Sequence, residues 1–337
     1  MKLACFSFSE KGYNLGKQIS KQFYKEYSIQ HFHNSQVEGG IKKILPWAWQ
    51  QYDGLIFIAA TGIAIRLINP YIDHKTKDPA VIVIDDLGRY VISMLSGHIG
   101  GANFLAEALA QQINALPIIT TASDGRGIES LDLFAKNNNY FIEDMNSITP
   151  LAAMMVNGKR IGFFSEDKVQ LDYDNLVNLQ SLNDIDENLQ GLIIVSSKLI
   201  KDLKLPHIIL RPKNINIGIG CRRGVESHRI IEAIEKTLID LNLSNKSIGS
   251  IGTVEVKKDE VGLIEAASYY KQSLKIFTIE DISRVEDRFE KSQFVKDTIG
   301  VYSVSEPVAY LLGGELITRK AKHNGITISV AKEDLNG

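Results

Sequence analysis

Apolar and polar residues along this chain follow two periods in turn, and each change of period marks an element. Residues 2–8 alternate as a first or edge strand does, and residues 13–24 carry apolar spacing that fits a helix. Residues 54–60 (GLIFIAA) form a continuous apolar run that opens on a glycine, the mark of a strand buried on both faces. Residues 61–68 then read as a helix stopped by Pro70. Residues 81–85, a turn at 86–88 and residues 90–95 predict a hairpin. A helix over 102–113, a strand over 117–121 and a helix over 128–136 follow. This succession predicts an α/β region with a mixed sheet.

Residues 140–211 are less patterned. Met154, residues 161–164 and residues 192–195 suggest a small α/β insert, and the Asp- and Asn-rich stretch 167–190 reads as loop and weakly marked helix. Pro206 and Pro212 bracket a short strand and make a linker. A second α/β pattern starts at Ile215: strand 215–219, long helix 225–241, helix 261–270, strand 274–278, helix 305–311 and strand 325–331. Pro307 stands in the first turn of the 305–311 helix, where a missing N–H does no harm, and Gly313–Gly314 end it. No internal repeat appears. The expected fold class is α/β and multi-domain: two three-layer domains with mixed sheets, 1–140 and 213–337, flank a smaller middle α/β region and linker, 141–212.

Composition narrows the class. At 337 residues, 44% hydrophobic and 23% charged, the chain is long enough for two or three domains with real cores, which excludes disorder and fibrous folds. Its apolar runs are far short of the ~20 residues that cross a bilayer, and residues 1–8 do not read as a signal peptide. Thirty-eight basic against 40 acidic residues provide no general attraction for nucleic acid. Two cysteines, Cys5 and Cys221, cannot make a disulfide framework or a Cys-rich zinc site. The expectation is a cytoplasmic enzyme with no membrane partner.

Candidate chemistry collects at glycine-rich strand-to-helix junctions, where open α/β sheets bind ligands. In Ser96-Gly97-His98-Ile99-Gly100-Gly101-Ala102-Asn103, His98 either caps a tight turn or acts as a general base, and the helix-start amides of Gly100–Ala102 face an anion or oxyanion. In Gly218-Ile219-Gly220-Cys221-Arg222-Arg223-Gly224, only part of a dinucleotide fingerprint is present. Its two arginines oppose a helix macrodipole unless solvated or met by an anion, and Cys221 is either packed or an activated thiol. Lys257-Lys258-Asp259-Glu260 and Ser303-Val304-Ser305-Glu306-Pro307 offer lysines for carboxylates and two glutamates for proton transfer, or else solvated faces and helix caps. Thr61-Gly62 with Arg66, and Thr120-Thr121-Ala122-Ser123-Asp124, follow strands and either bind polar ligand groups or cap helices. The remaining histidines show no metal-ligand spacing; His31 and His33 are two apart with no further ligand nearby.

Taken together and in order, these motifs resemble the cobalt-precorrin-5A hydrolase family of the anaerobic cobalamin (vitamin B12) pathway. The resemblance runs through Thr61–Ile68, Asp78–Val81, Leu95–His98, Gly100–Asn103 and Ile119–Ala122, then Gly218–Gly224, Val256–Leu263 and Ser303–Pro307, with the middle region matching loosely. Val225 and Glu226 stand where the family usually has a small residue and a threonine.

The resemblance implies a hydrolase that opens the ring A δ-lactone of cobalt-precorrin-5A and releases C20 with its methyl as acetaldehyde, giving cobalt-precorrin-5B. It implies no protein-held cofactor, because the cobalt arrives in the substrate. His98, Glu260 and Glu306 are the catalytic candidates. Thr61, Gly62, Arg66, Ser96, Gly97, Gly100, Gly101, Asn103, Thr120, Thr121, Gly220, Cys221, Arg222, Lys257 and Ser303 are the substrate-binding candidates. The partner is the tetrapyrrole, and a homodimer stays open. The alternatives are a non-catalytic tetrapyrrole carrier and a nucleotide- or S-adenosylmethionine-dependent enzyme. The incomplete glycine fingerprint argues against the latter.

Overall fold

The computed structural model describes residues 1–23, 27–74, 77–122, 125 and 127–334, so Tyr24, Ser123 and Asp124 among the expectations above lie outside the described residues. It is α/β, with three mixed sheets, and divides into two units, Met1–Phe134 and Ala135–Gly337.

The first unit contains β1 (Lys2–Ser7), α1 (Glu10–Gln22), β2 (Ser28–His33), α2 (Ile41–Gln51), β3 (Gly54–Ile58), α3 (Thr61–Ile68), β4 (Ala80–Ile84), β5 (Tyr90–Leu95), α4 (Ala102–Ile113) and β6 (Leu116–Ile118). Its sheet has the order β2-β1-β3-β4-β5-β6, parallel except for β5 against β4. β3 and β4 are buried at every position, as continuous apolar runs in the middle of a parallel sheet must be. Alternate residues feed two cores. Leu3, Cys5, Ile56 and Ile82 pack with Ile19 of α1 and Leu105 of α4 on one face, while Ala4, Phe6, Phe57 and Val81 pack with Leu45 of α2 and Ala64 of α3 on the other. Three layers result.

After α5 (Leu131–Asn137), within which the division falls, the second unit begins with β7 (Tyr140–Ile142), α6 (Ile148–Val156), β8 (Ile161–Ser165), β9 (Leu176–Leu179), β10 (Gly191–Val195) and β11 (His207–Pro212). These strands form the sheet β7-β11-β10-β8-β9. The stretch 167–190 holds β9 and a 3-10 turn rather than an α-helix. Residues 207–212 are not an exposed connector: β11 lies inside the sheet, with Arg211 only 1% exposed.

The third sheet, β14-β13-β12-β16-β15, is built from β12 (Ile215–Cys221), α7 (Ser227–Asp240), β13 (Ile248–Val254), α8 (Val261–Tyr269), β14 (Leu274–Phe277), α9 (Ile279–Ser283), α10 (Gln293–Ile299), α11 (Ser305–Leu312), β15 (Glu315–His323) and β16 (Ile326–Lys332). Strands β12 to β14 run parallel, whereas β16 is antiparallel to both neighbours. Helices α7 and α8 cover one face, and α9 to α11 close a separate core that includes Val254 and Val308. The long helix starts at Ser227, two residues after the expected 225, with Glu226 as an extended N-cap.

Candidate functional site

Each unit presents its own cluster of candidate residues. In the first, the antiparallel turn of β5 decides the geometry. Leu95 pairs with Val81 at the start of β4, so the turn that follows lies at the amino end of β3 and β4. β6 runs parallel to β5 and delivers Thr120 and Thr121 to this same edge. Thr61, Gly62 and Arg66 follow the carboxyl end of β3, on the opposite edge, roughly 15 Å away along a five-residue strand. Sequence order had set these motifs side by side; the sheet separates them.

At the amino edge, Ser93 Oγ donates to Asn103 Oδ1 at 2.6 Å, and Asn103 Nδ2 donates to Thr121 Oγ1 at 3.1 Å, tying β5, α4 and the segment after β6 together. Ser96 has a φ of 58°, uncommon for a residue with a side chain, and its buried Oγ has no hydrogen-bond partner among the described residues. Gly100 must lack a Cβ because one would overlap Ser96. The Gly101 N–H donates to the His98 carbonyl and the Ala102 N–H to the Ser96 carbonyl, so these two amides close the turn. His98 Nδ1 lies 3.9 Å from Asp132 Oδ1, with both side chains largely shielded (18% and 7% exposed). Asp132 is the partner that sequence reading missed; it stands on α5, far along the chain, and no local pattern marks it. Gly97 abuts the Asn103 amide.

In the second unit, parallel pairing brings the carboxyl ends of β12 and β13 level, placing Cys221 beside Lys257 and Glu260, whereas Gly220 faces Thr327 and Arg222 lies against Gly325. Glu260 accepts the Gly224 N–H at 2.9 Å through one oxygen and faces Lys257 Nζ at 3.3 Å through the other. The Gly224 N–H first, then Lys257 and Arg223, hold the Glu260 carboxyl below its ordinary range. Cys221 is half-buried, and burial pushes its thiol up to about 11, so it is not an activated thiolate at neutral pH. Arg222 and Arg223 are exposed, and neither makes an ion pair among the described residues.

Val304, which precedes α11, lies against Gly220 and brings Ser303 and Glu306 to this region. Glu306 is 1% exposed, accepts from Ser303 Oγ at 3.3 Å and has Lys320 Nζ at 3.8 Å. Lys320, on β15, also escaped the sequence reading; an inward-facing lysine in an alternating strand is the signal that could have found it. Among the described residues, no three His, Cys, Asp or Glu side chains converge in a way that could hold a metal ion. No described helix is long and apolar enough to cross a membrane.

Three family models match the chain from residue 43 on: "Cobalamin synthesis G N-terminal" over residues 43–124, "Cobalamin biosynthesis central region" over 129–212 and "Cobalamin synthesis G C-terminus" over 215–331. A cobalt-precorrin-5A hydrolase from Priestia megaterium is 37% identical over 91% of this chain and 84% of its own. One from Salmonella typhimurium is 37% identical over 87% of this chain and 86% of its own. A solved structure of a cobalamin biosynthesis protein G homologue from Sulfolobus solfataricus is 26% identical, covering 98% of this chain and 97% of that one, with a TM-score of 0.42.

Proposed function

The chain belongs to the cobalt-precorrin-5A hydrolase family, and from that membership we propose how its residues serve a hydrolase of cobalamin biosynthesis. The substrate is cobalt-precorrin-5A. The reaction opens the ring A δ-lactone and expels C20 with its methyl as acetaldehyde, leaving cobalt-precorrin-5B. Cobalt is part of the substrate, and the chain supplies no metal of its own.

The observation that carries the acid–base assignment is the shielded His98–Asp132 pair beside the strained Ser96 turn. A shielded carboxylate 3.9 Å from Nδ1 orients the imidazole so that its other nitrogen can take a proton from water. Hydroxide then adds to the lactone carbonyl, and the ring oxygen leaves as the C20 alcohol. The carbonyl oxygen's developing charge needs a donor. The Gly101 and Ala102 amides close the turn, so neither is that donor. Loss of the C20 hydroxyl proton then breaks the carbon–carbon bond, and the electron pair passes into the conjugated macrocycle.

Glu306, shielded and close to Lys320, is the second-unit group we assign to proton transfer. Both oxygens of Glu260 are already engaged, which makes it the clamp that sets the Gly224 loop. Within the second unit, Arg222 and Lys257 meet substrate carboxylates; Arg66 stands on the edge of the first sheet opposite His98 and has no part in this step.

The test is acetaldehyde release from cobalt-precorrin-5A. The wild-type chain should produce it, and His98→Ala should fold normally but lose at least about a hundredfold in rate, the usual contribution of a positioned acid–base group. Full turnover by His98→Ala would remove the histidine from the reaction. Binding without any acetaldehyde from the wild type would make the protein a carrier.

A further inference from the structure

β2 places His31 and His33 two residues apart, and the period of a strand turns both imidazoles to one face. Between them stands Ser7, the last residue of β1 and fully buried. Its Oγ is 2.8 Å from His31 Nε2 and 2.9 Å from His33 Nδ1. A hydroxyl carries one proton. It can donate to one ring only while accepting from the other, so the two imidazoles and the serine share their protons as a chain.

The site is shaped for these rings. A Cβ at Gly16 of α1 would collide with the His31 imidazole, so the glycine lets the ring lie directly on the helix backbone. The Tyr13 ring packs 5.4 Å from His31 and 5.0 Å from His33, and Lys17 Nζ stands 4.3 Å from the Tyr13 centroid. Lys17 and Gln36 hold the Tyr13 phenol below its ordinary range. Burial, then His33, then Lys17 hold the His31 imidazole below its ordinary range. Both groups whose charge acts on His31 among the described residues, His33 and Lys17, are basic, and neither histidine nor Lys17 has an acidic partner there.

Position adds a second, independent argument. β1 lies between β2 and β3; the chain leaves β1 for α1 on one face of the sheet and leaves β3 for α3 on the other. That reversal, where open α/β sheets admit ligands, falls between β1 and β3; the cluster stands one strand over, on β1 and β2, at the same carboxyl edge. It is the edge opposite His98.

We propose that Ser7, His31, His33 and Lys17 form a carboxylate-binding site at the carboxyl edge of the first sheet, in which the hydroxyl-bridged imidazole pair takes up one proton as the anion binds. Proton uptake supplies the positive charge the anion needs, and Lys17 supplies the second. Binding then weakens as pH rises, by about tenfold per pH unit once the pair has lost its proton. The site makes no use of the hydrolase reaction, so it stands or falls separately from that reading.

Propionate is the probe, followed by NMR of the histidine Cε1–H resonances in the full chain, with sodium chloride at equal ionic strength as control. Propionate should move the His31 and His33 resonances saturably and raise the His31 midpoint, while chloride should not. Lys17→Ala, an exposed change that leaves the core untouched, should weaken propionate binding at least about fivefold. Ser7→Ala should uncouple the two titrations. Resonances that respond equally to propionate and chloride, or an unchanged affinity in Lys17→Ala, would overturn the proposal. Because no turnover is measured, an inactive hydrolase would not mimic either result.

Discussion

Glu260 donates nothing and accepts twice: the Gly224 N–H on one oxygen and the Lys257 ammonium on the other. Its two partners belong to different loops, so the side chain fixes the mouth of β12 against the turn that opens α8. Glu260→Ala would leave the Gly224 N–H without its acceptor and Lys257 without its counter-charge. We expect a loss of about 1 kcal/mol, modest because the loop is solvent-accessible, read as a lower urea midpoint at neutral pH. An unchanged midpoint would show the clamp to be dispensable. At this scale sequence reading named the right residue types and could not assign their work. Glu260 and Cys221 looked reactive from their neighbours, but one is spent on a backbone amide and the other is kept as a thiol by burial. Asp132 was invisible because its partner is distant in the chain, and Lys320 was marked only by its inward place in an alternating strand.

Helix α11 makes the same point for an element. Pro307 and the paired glycines after it made this helix legible, yet its function depends on how close it comes to β12. A Cβ on Gly218 would overlap the Ser305 carbonyl and crowd Ala309, so the glycine sets the distance between helix and strand rather than admitting a ligand. Gly218→Ala must push α11 outward and with it Ser303 and Glu306. A loss of about 3 kcal/mol is expected in denaturant titration, together with reduced acetaldehyde release. Gly218→Ala with wild-type stability would refute the close packing. Strands with continuous apolar runs, β3 and β4, were plain in the sequence because both their faces are covered. β2, α2 and β15 carry partly exposed, mixed patterns, and in them periodicity is diluted by polar residues.

Across the second unit, Glu166 joins sheets that are separate in hydrogen bonding. It sits just past β8 in the middle sheet and accepts from Lys332 Nζ of β16 at 2.6 Å, Ser196 Oγ at 2.5 Å and Ser197 Oγ at 3.0 Å. Burial opposes its charge, but Lys332, Ser196 and Ser197 outweigh that and hold the carboxyl below its ordinary value of 4.5. A carboxyl depressed in the folded state stabilises it above the unfolded value, and that contribution disappears as pH falls through the folded one. The wild-type chain should therefore lose stability on acidification in a way that Glu166→Gln does not. The variant should be weaker by about 1–3 kcal/mol near neutrality and converge with the wild type in acid, checked by thermal unfolding across the carboxyl range. Parallel pH curves for the two would sink this account.

Local period and motifs read in order are enough to specify the α/β class, most strands and helices, and the family. Tertiary structure decided what those motifs do. The antiparallel step from β4 to β5 sent His98 to one edge of the first sheet and Thr61, Gly62 and Arg66 to the other. The parallel step from β1 to β2 gathered Ser7, His31 and His33, whose spacing alone had suggested nothing. Strand direction is not written in any one segment. It follows from which partner each segment meets, and a site made across strands inherits that dependence.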